Sequence, residues 1–275
     1  MAEIKIALIQ MPTVEDVAAN LETAREKVKY AAGQGADIVV LPEMFCCLYQ
    51  SASFLKNKEP QGGRIWQALC RMAADNRVYL VGGSMPEQDG DKIYNTSFIF
   101  APDGVQIGKH RKVHLFDIDV EGGQHFKESD TFTAGSRPTV INTKLGVIGV
   151  EICFDVRFEE LTRLMALEGA EMVFVPAAFN MTTGPAHWQT HFRGRALDNQ
   201  LFMFGCAPAR DVDGPYVSYG HSIAVSPWGD VIEELDEAPG VLICEIDTDQ
   251  ISSIRQQLPI MKNRRSDLYT LLLNQ

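Results

Sequence analysis

The chain has few of the features that mark a specialised environment. It carries six cysteines, at 46, 47, 70, 153, 206 and 244, and none forms a Cys-x-x-Cys pair. That spacing predicts neither a disulfide framework nor a zinc site, and suits reduced thiols in a cytoplasmic protein. No apolar run approaches the ~20 residues of a membrane helix. The first ten residues lack a signal-peptide layout. Positive charge is scarce: 25 Lys and Arg stand against 36 Asp and Glu, for a net charge of −11. General binding to nucleic acid or to an anionic membrane needs a positive field and is not expected. Gly146 and Gly149 make no dinucleotide fingerprint, and no P-loop is present. No low-complexity linker divides the 275 residues, so one domain is expected, with no cofactor and no resident metal.

What is present is an alternation of strand and helix signals. Residues 4–10 read as a strand. Residues 20–32 place Leu21, Ala24, Val28 and Ala31 at helical spacing, and Gly33 and Gly35 stop the run. A strand over 36–41, a helix over 65–76 and a strand over 78–82 follow. Then comes a hairpin of 94–101 with 105–109 around Pro102-Asp-Gly104.

The second half replays this order. Gly35-Ala-Asp-Ile-Val-Val-Leu-Pro-Glu-Met-Phe45 resembles Gly169-Ala-Glu-Met-Val-Phe-Val-Pro-Ala-Ala-Phe179. Trp66-Gln67 leading to Asp75-Asn76 resembles Trp188-Gln189 leading to Asp198-Asn199. Tyr94-Asn-Thr-Ser leading to Pro102-Asp-Gly104 resembles Tyr219-Gly-His-Ser leading to Pro227-Trp-Gly229. A solenoid repeat is far shorter. Two related α/β halves are expected, their sheets face to face and their helices outside. Residues 249–275 form a tail whose apolar end needs a surface, either the chain's own body or a neighbouring subunit.

The repeat isolates chemistry. Where the first half has Glu43, the second has Ala177. A carboxylate directly after a buried strand and a proline is costly to desolvate without a reason. A cysteine, Cys153, sits where the strand of residues 147–152 gives way to an acidic, helix-like run over 155–160. Free N–H groups at such a helix start favour thiolate over thiol. Glu151 lies two residues before it, where a strand side chain can share its face. In the basic run Lys109-His-Arg-Lys-Val-His114, an extended chain over 105–116 points Lys112 and His114 to one side. A lysine there can meet negative charge developing on an oxygen. His187-Trp-Gln-Thr-His191 spaces two histidines one helical turn apart, but Trp188 stands where a metalloprotease needs glutamate.

A glutamate, a lysine and a cysteine in this order resemble the nitrilase superfamily of carbon–nitrogen hydrolases, over nearly the whole chain. Its glutamate block matches Leu41-Pro-Glu-Met-Phe45. Its lysine block matches Lys109-His-Arg-Lys-Val-His-Leu-Phe-Asp117, and its cysteine block Ile152-Cys-Phe-Asp-Val-Arg-Phe158. Residues 112–119 and Asn180-Met-Thr-Thr183 look like the omega-amidase branch. The resemblance implies an α-β-β-α sandwich paired into homodimers or higher homo-oligomers. It also implies Cys153 as nucleophile, Glu43 as base then acid, and Lys112 as oxyanion stabiliser beside the backbone N–H of Phe154. Glu128 matches a second family glutamate, with Glu121 as its competitor. Arg157 would clasp the far carboxylate of a dicarboxylate monoamide, unless it pairs with Glu159 or Glu160. His114, Tyr49, Asn180 and Thr182 are further pocket candidates. The alternatives within the superfamily are amidases of N-carbamoyl amines or of the deaminated-glutathione type.

Overall fold

The computed structural model describes residues 3–122 and 125–274. The first half builds β1 (Ile4–Gln10), α1 (Val17–Gly33), β2 (Ile38–Val40), α2 (Ser51–Asn57), α3 (Arg64–Asn76), β3 (Tyr79–Val81), β4 (Met85–Asp89), β5 (Lys92–Phe100) and β6 (Gln106–Arg111). A small ribbon follows, β7 (Asp117–Asp119) with β8 (His125–Lys127). The second half builds β9 (Thr139–Thr143), β10 (Gly146–Val150), α4 (Glu159–Leu167), β11 (Met172–Pro176), α5 (Gly184–Asn199), β12 (Phe202–Cys206), β13 (Ile223–Val225) and β14 (Val231–Glu234). The chain then returns through β15 (Gly240–Ile246) and α6 (Asp249–Gln257).

The strands form two large sheets. One runs β15-β1-β2-β3-β5-β4 with β6 beside β5, and the other β14-β13-β12-β11-β10-β9. Each has a parallel centre, β1-β2-β3 in one and β10-β11-β12 in the other. Parallel strands bury both faces, and the apolar residues divide accordingly. Ile6, Leu8, Val40, Ile148, Val150, Phe174 and Phe204 fill the space between the sheets. Ala7, Val39 and Leu80 turn outward to α1 and α3, while Val173, Val175 and Met203 turn outward to α4 and α5. The four-layer α-β-β-α sandwich expected from the repeat is the observed architecture. Phe174 and Phe204 stack at 4.9 Å in its middle layer. Burying a side chain of this size contributes roughly 1.5–3 kcal/mol.

Local chemistry sets the element ends. α1 begins earlier than its apolar spacing suggests because Asp16 caps it, accepting from the Ala18 N–H at 2.8 Å. Two expectations are corrected. The chain does not stay extended to residue 116: β6 ends at Arg111, because the Asp155 carboxylate draws the N–H groups of Val113 and His114 off the strand path. Residues 155–160 are not one helical run. A 3₁₀ turn, Cys153–Arg157, is followed by extended Phe158 before α4 starts. Between β6 and β9 lie the β7–β8 ribbon and a 3₁₀ turn, Glu128–Asp130. The first part of the tail packs on the chain's own body. Ile251 is buried in the inter-sheet core, the Leu258 carbonyl accepts from Gln200 Nε2, and Met261 packs under α4 and α5. Towards its end Leu268 and Leu272 are about three-quarters exposed. Among the described residues no helix is long and apolar enough to cross a membrane.

Candidate functional site

Glu43 leaves β2 one residue after Pro42 and is buried. The turn is tight. Gly83 sits at φ +59, and a Cβ there would lie 2.3 Å from the Pro42 carbonyl oxygen, so only glycine fits. Met44 follows at φ +50, its N–H donating to the Ser84 hydroxyl. Cys153 leaves β10 in the same way, at φ +48. Two non-glycine residues held left-handed at strand ends carry backbone strain, which persists only where surrounding structure imposes it.

The sandwich brings the separated residues together. Lys112 Nζ lies 2.9 Å from Glu43 Oε1 and 2.8 Å from Glu128 Oε2, with all three side chains buried. Asn95 on β5 donates from Nδ2 to Glu43 Oε1 at 2.9 Å and to Glu128 Oε1 at 3.0 Å. The Ala178 N–H donates to Glu43 Oε2 at 2.9 Å, and the Phe116 N–H to Glu128 Oε2 at 2.6 Å. The Cys153 thiol has the Glu43 carboxylate and the Ala178 backbone as neighbours. Glu121 is exposed, so Glu128 is the second carboxylate of the cluster.

Burial and charge set the protonation states. Burial pulls the Lys112 pKa down, but Glu128 and Glu43 outweigh it and hold it well above the usual lysine range. Burial raises Glu128 against the pull of Lys112, with Glu43 adding to the rise. Burial also raises the Cys153 thiol well above its ordinary value, and the Glu43 charge adds to it. Burial thus opposes the thiolate that the free N–H groups of a helix start favour. The direction favours a thiol, whose proton the neighbouring Glu43 carboxylate is placed to accept.

The other expected residues scatter. Tyr49 is buried with its hydroxyl 3.5 Å from Glu43 Oε1. With Glu43, Ala178 and Tyr216 it lines a cleft; Cys153 and Arg157 are not on its walls. Phe154 packs edge-on to Phe116 and Phe158. His114 does not share the side of Lys112. It donates from Nδ1 to Asp155 Oδ1 at 2.9 Å and stacks on Phe158 at 3.7 Å. Asn180 uses its Oδ1 to accept from the N–H and hydroxyl of Thr183, at the start of α5. Thr182 is exposed. Glu151 turns to α4, where the Thr162 hydroxyl donates to it at 2.6 Å. Arg157 pairs with neither Glu159 nor Glu160. Its Nη1 meets His187 and His191, and its charge acts on Cys153 and Tyr216.

Sequence reasoning missed Asn95, Asp155 and Tyr216. Asn95 had a signal: Asn95-Thr-Ser97 is a fully buried polar run inside an apolar strand. Asp155 had a weaker one, an acid two residues after the cysteine. Its carboxylate accepts from His110, His114, Val113 and Ile152, and so ties the lysine segment of one half to the cysteine turn of the other. Tyr216, whose hydroxyl donates to the Ala178 carbonyl and whose ring lies 4.5 Å from Tyr49, had none.

Comparison with known proteins adds identity to this geometry. The family model described as carbon–nitrogen hydrolase matches residues 5–256. The chain is 45% identical over 270 residues to omega-amidase NIT2 of Danio rerio, covering 98% of each chain. It is 45% identical over 269 residues to omega-amidase NIT2-A of Xenopus laevis, again covering 98% of each. Among solved structures, Saccharomyces cerevisiae Nit3, a member of branch 10 of the nitrilase superfamily, superposes with a TM-score of 0.89. That match has 42% identity and covers 96% of this chain and 97% of the other.

Proposed function

The chain belongs to the carbon–nitrogen hydrolase family, and from that premise we propose that it is an omega-amidase. It releases ammonia from omega-monoamides of short dicarboxylates, 2-oxoglutaramate and 2-oxosuccinamate above all. The observation that carries this reading is the Glu43–Lys112–Glu128 cluster beside the Cys153 thiol, with one arginine nearby that no carboxylate neutralises among the described residues.

In the proposed mechanism Glu43 takes the thiol proton as the Cys153 sulfur bonds to the amide carbon. Lys112 and the Phe154 N–H receive the oxyanion. One such donor is worth roughly 2.7–4 kcal/mol of barrier. The C–N bond breaks as Glu43 returns the proton to the leaving nitrogen, and ammonia departs from a Cys153 thioester. Glu43 then deprotonates water, the hydroxide attacks the thioester, and the C–S bond breaks as Glu43 returns that proton to the sulfur, regenerating the thiol and releasing a dicarboxylic acid. Glu128 and Asn95 hold Glu43 and Lys112 in register through both steps. Arg157 binds the distal carboxylate, for which a guanidinium fork is suited.

A Cys153 nucleophile and five further unpaired cysteines suit a reducing compartment, here the cytoplasm. The exposed leucines at the end of the tail support a homodimer with residues 249–275 contributing to its contact. Ammonia release over a panel of oxo-acid monoamides, N-carbamoyl amines and neutral amides tests the substrate class. The expected result is preference for the monoamide acids, with Arg157→Met raising KM for them by at least about tenfold and for a neutral amide much less. Equal losses on both substrates would remove Arg157 from the binding pocket.

A further inference from the structure

A largely buried arginine normally finds a carboxylate. Arg157 does not. Its Nη1 lies 3.0 Å from Nδ1 of His187 and 3.1 Å from Nε2 of His191. The rings of Phe154 and Phe179 flank the guanidinium at 5.5 and 4.7 Å. Its Nε is buried without a partner.

A guanidinium carries only donors and stays charged. The two imidazole nitrogens facing Nη1 must therefore be acceptors. That requirement fixes both rings as neutral, with the proton of His187 on Nε2 and that of His191 on Nδ1. The histidines stand one turn apart on α5, so their rings reach the same point. The space a metal would take between them is held by the guanidinium, and no group of three metal-ligating side chains occurs among the described residues.

We propose that His187 and His191 are positioning residues which orient the Arg157 guanidinium without neutralising it, leaving its charge for the carboxylate of the substrate. A glutamate in their place would orient the arginine equally well but would compete with that carboxylate. An apolar residue would leave the charge in place and the side chain free to turn. Burial, together with the guanidiniums of Arg157 and Arg195 and the neighbouring His187, pushes His191 down to about 4, which keeps that acceptor neutral in ordinary buffers. This inference rests on Arg157 binding the distal carboxylate, as proposed above.

The test compares KM and kcat for 2-oxoglutaramate and for a neutral amide of similar length. His191→Leu removes one acceptor, whereas His191→Gln offers a carbonyl oxygen where Nε2 stood. His187→Leu and His187→Asn make the same comparison at Nδ1. The expected result is a KM for the oxo-acid raised about tenfold in His191→Leu, the scale of one charged hydrogen bond. Its kcat should change little, its neutral-amide KM should rise less, and His191→Gln should recover most of the loss. His187, being exposed, should show the smaller effect. Equal losses on both substrates, or Gln no better than Leu, overturns the proposal. Arg157→Met, run alongside, separates the two levels. If it discriminates between the substrates and the histidine variants do not, only the present inference falls. If Arg157→Met does not discriminate, the carboxylate-binding reading falls and takes this one with it.

Discussion

At the end of β2 the chain reads Pro42-Glu43, and at the end of β11 it reads Pro176-Ala177. The two segments repeat one another in sequence and follow the second parallel strand of their respective sheets. Their contributions to the site differ. The first supplies a buried carboxylate, and the second supplies the Ala178 N–H that this carboxylate accepts. Around Glu43 the first half assembles compensated charge: two carboxylates, one ammonium and the Asn95 amide. In the second half, Cys153 and Arg157 have no such pairing with an opposite charge. Burial raises the Cys153 thiol, and Arg157 rests on neutral imidazoles.

Glu151 and Asp155 bring the same contrast to within four residues. Both are fully buried. Glu151 accepts one hydroxyl and keeps an oxygen without a partner, and burial pushes it up to about 8. Asp155 meets equal burial, but the histidines and backbone N–H groups directed at it hold it well below the usual aspartate range. Donor supply, rather than depth alone, decides whether a buried acid ionises.

The division of labour can be broken at three points. The largest effect is expected from Cys153→Ala. Loss of a nucleophile costs about a millionfold in rate, and ammonia release should vanish while the melting temperature stays near that of the parent. Residual turnover would mean that the sulfur of the second half is not the reacting atom.

Lys112→Met should come next. It leaves Glu43 and Glu128 facing each other without their cation, at a cost of about 3–5 kcal/mol. Urea denaturation should show the loss larger at pH 8 than at pH 5, since protonating the acids relieves their repulsion. A loss independent of pH would argue that packing around the lysine stem, not charge, holds the cluster.

Glu151→Gln should have the smallest effect. A carboxyl whose folded pKa is raised binds its proton more tightly than the unfolded chain does. Wild-type stability should therefore fall as pH rises from about 4.5 to about 8. The glutamine variant should match the parent near pH 5, melt higher near pH 8, and show a flatter profile between. Parallel profiles for the two proteins would place the ionised form of Glu151 in the native state.

Much of this was legible in the residues. The apolar spacing of Ala24, Val28 and Ala31 placed α1, and the Gly35–Phe45 and Gly169–Phe179 repeat predicted two matched sheets with outer helices. The same repeat marked Glu43, because an acid where its counterpart is alanine carries a desolvation cost that packing alone does not explain. The lysine segment was legible by identity but not by geometry. Alternation put His114 beside Lys112, and the Asp155 carboxylate, reaching across from the other half, pulled the backbone away instead.

The order of strands and helices, the placement of apolar faces and the identities of Glu43, Lys112 and Cys153 are local or periodic properties, and the sequence by itself determined them. Which groups are charged, which carboxylate accompanies Lys112, and what holds Arg157 were decided only in the folded molecule. Glu43 and Ala178 meet across 135 positions, Lys112 and Glu43 across 69, and Arg157 and His191 across 34. Protonation depends on the donors, charges and burial that such distant contacts bring to one point, and no spacing along the chain encodes them.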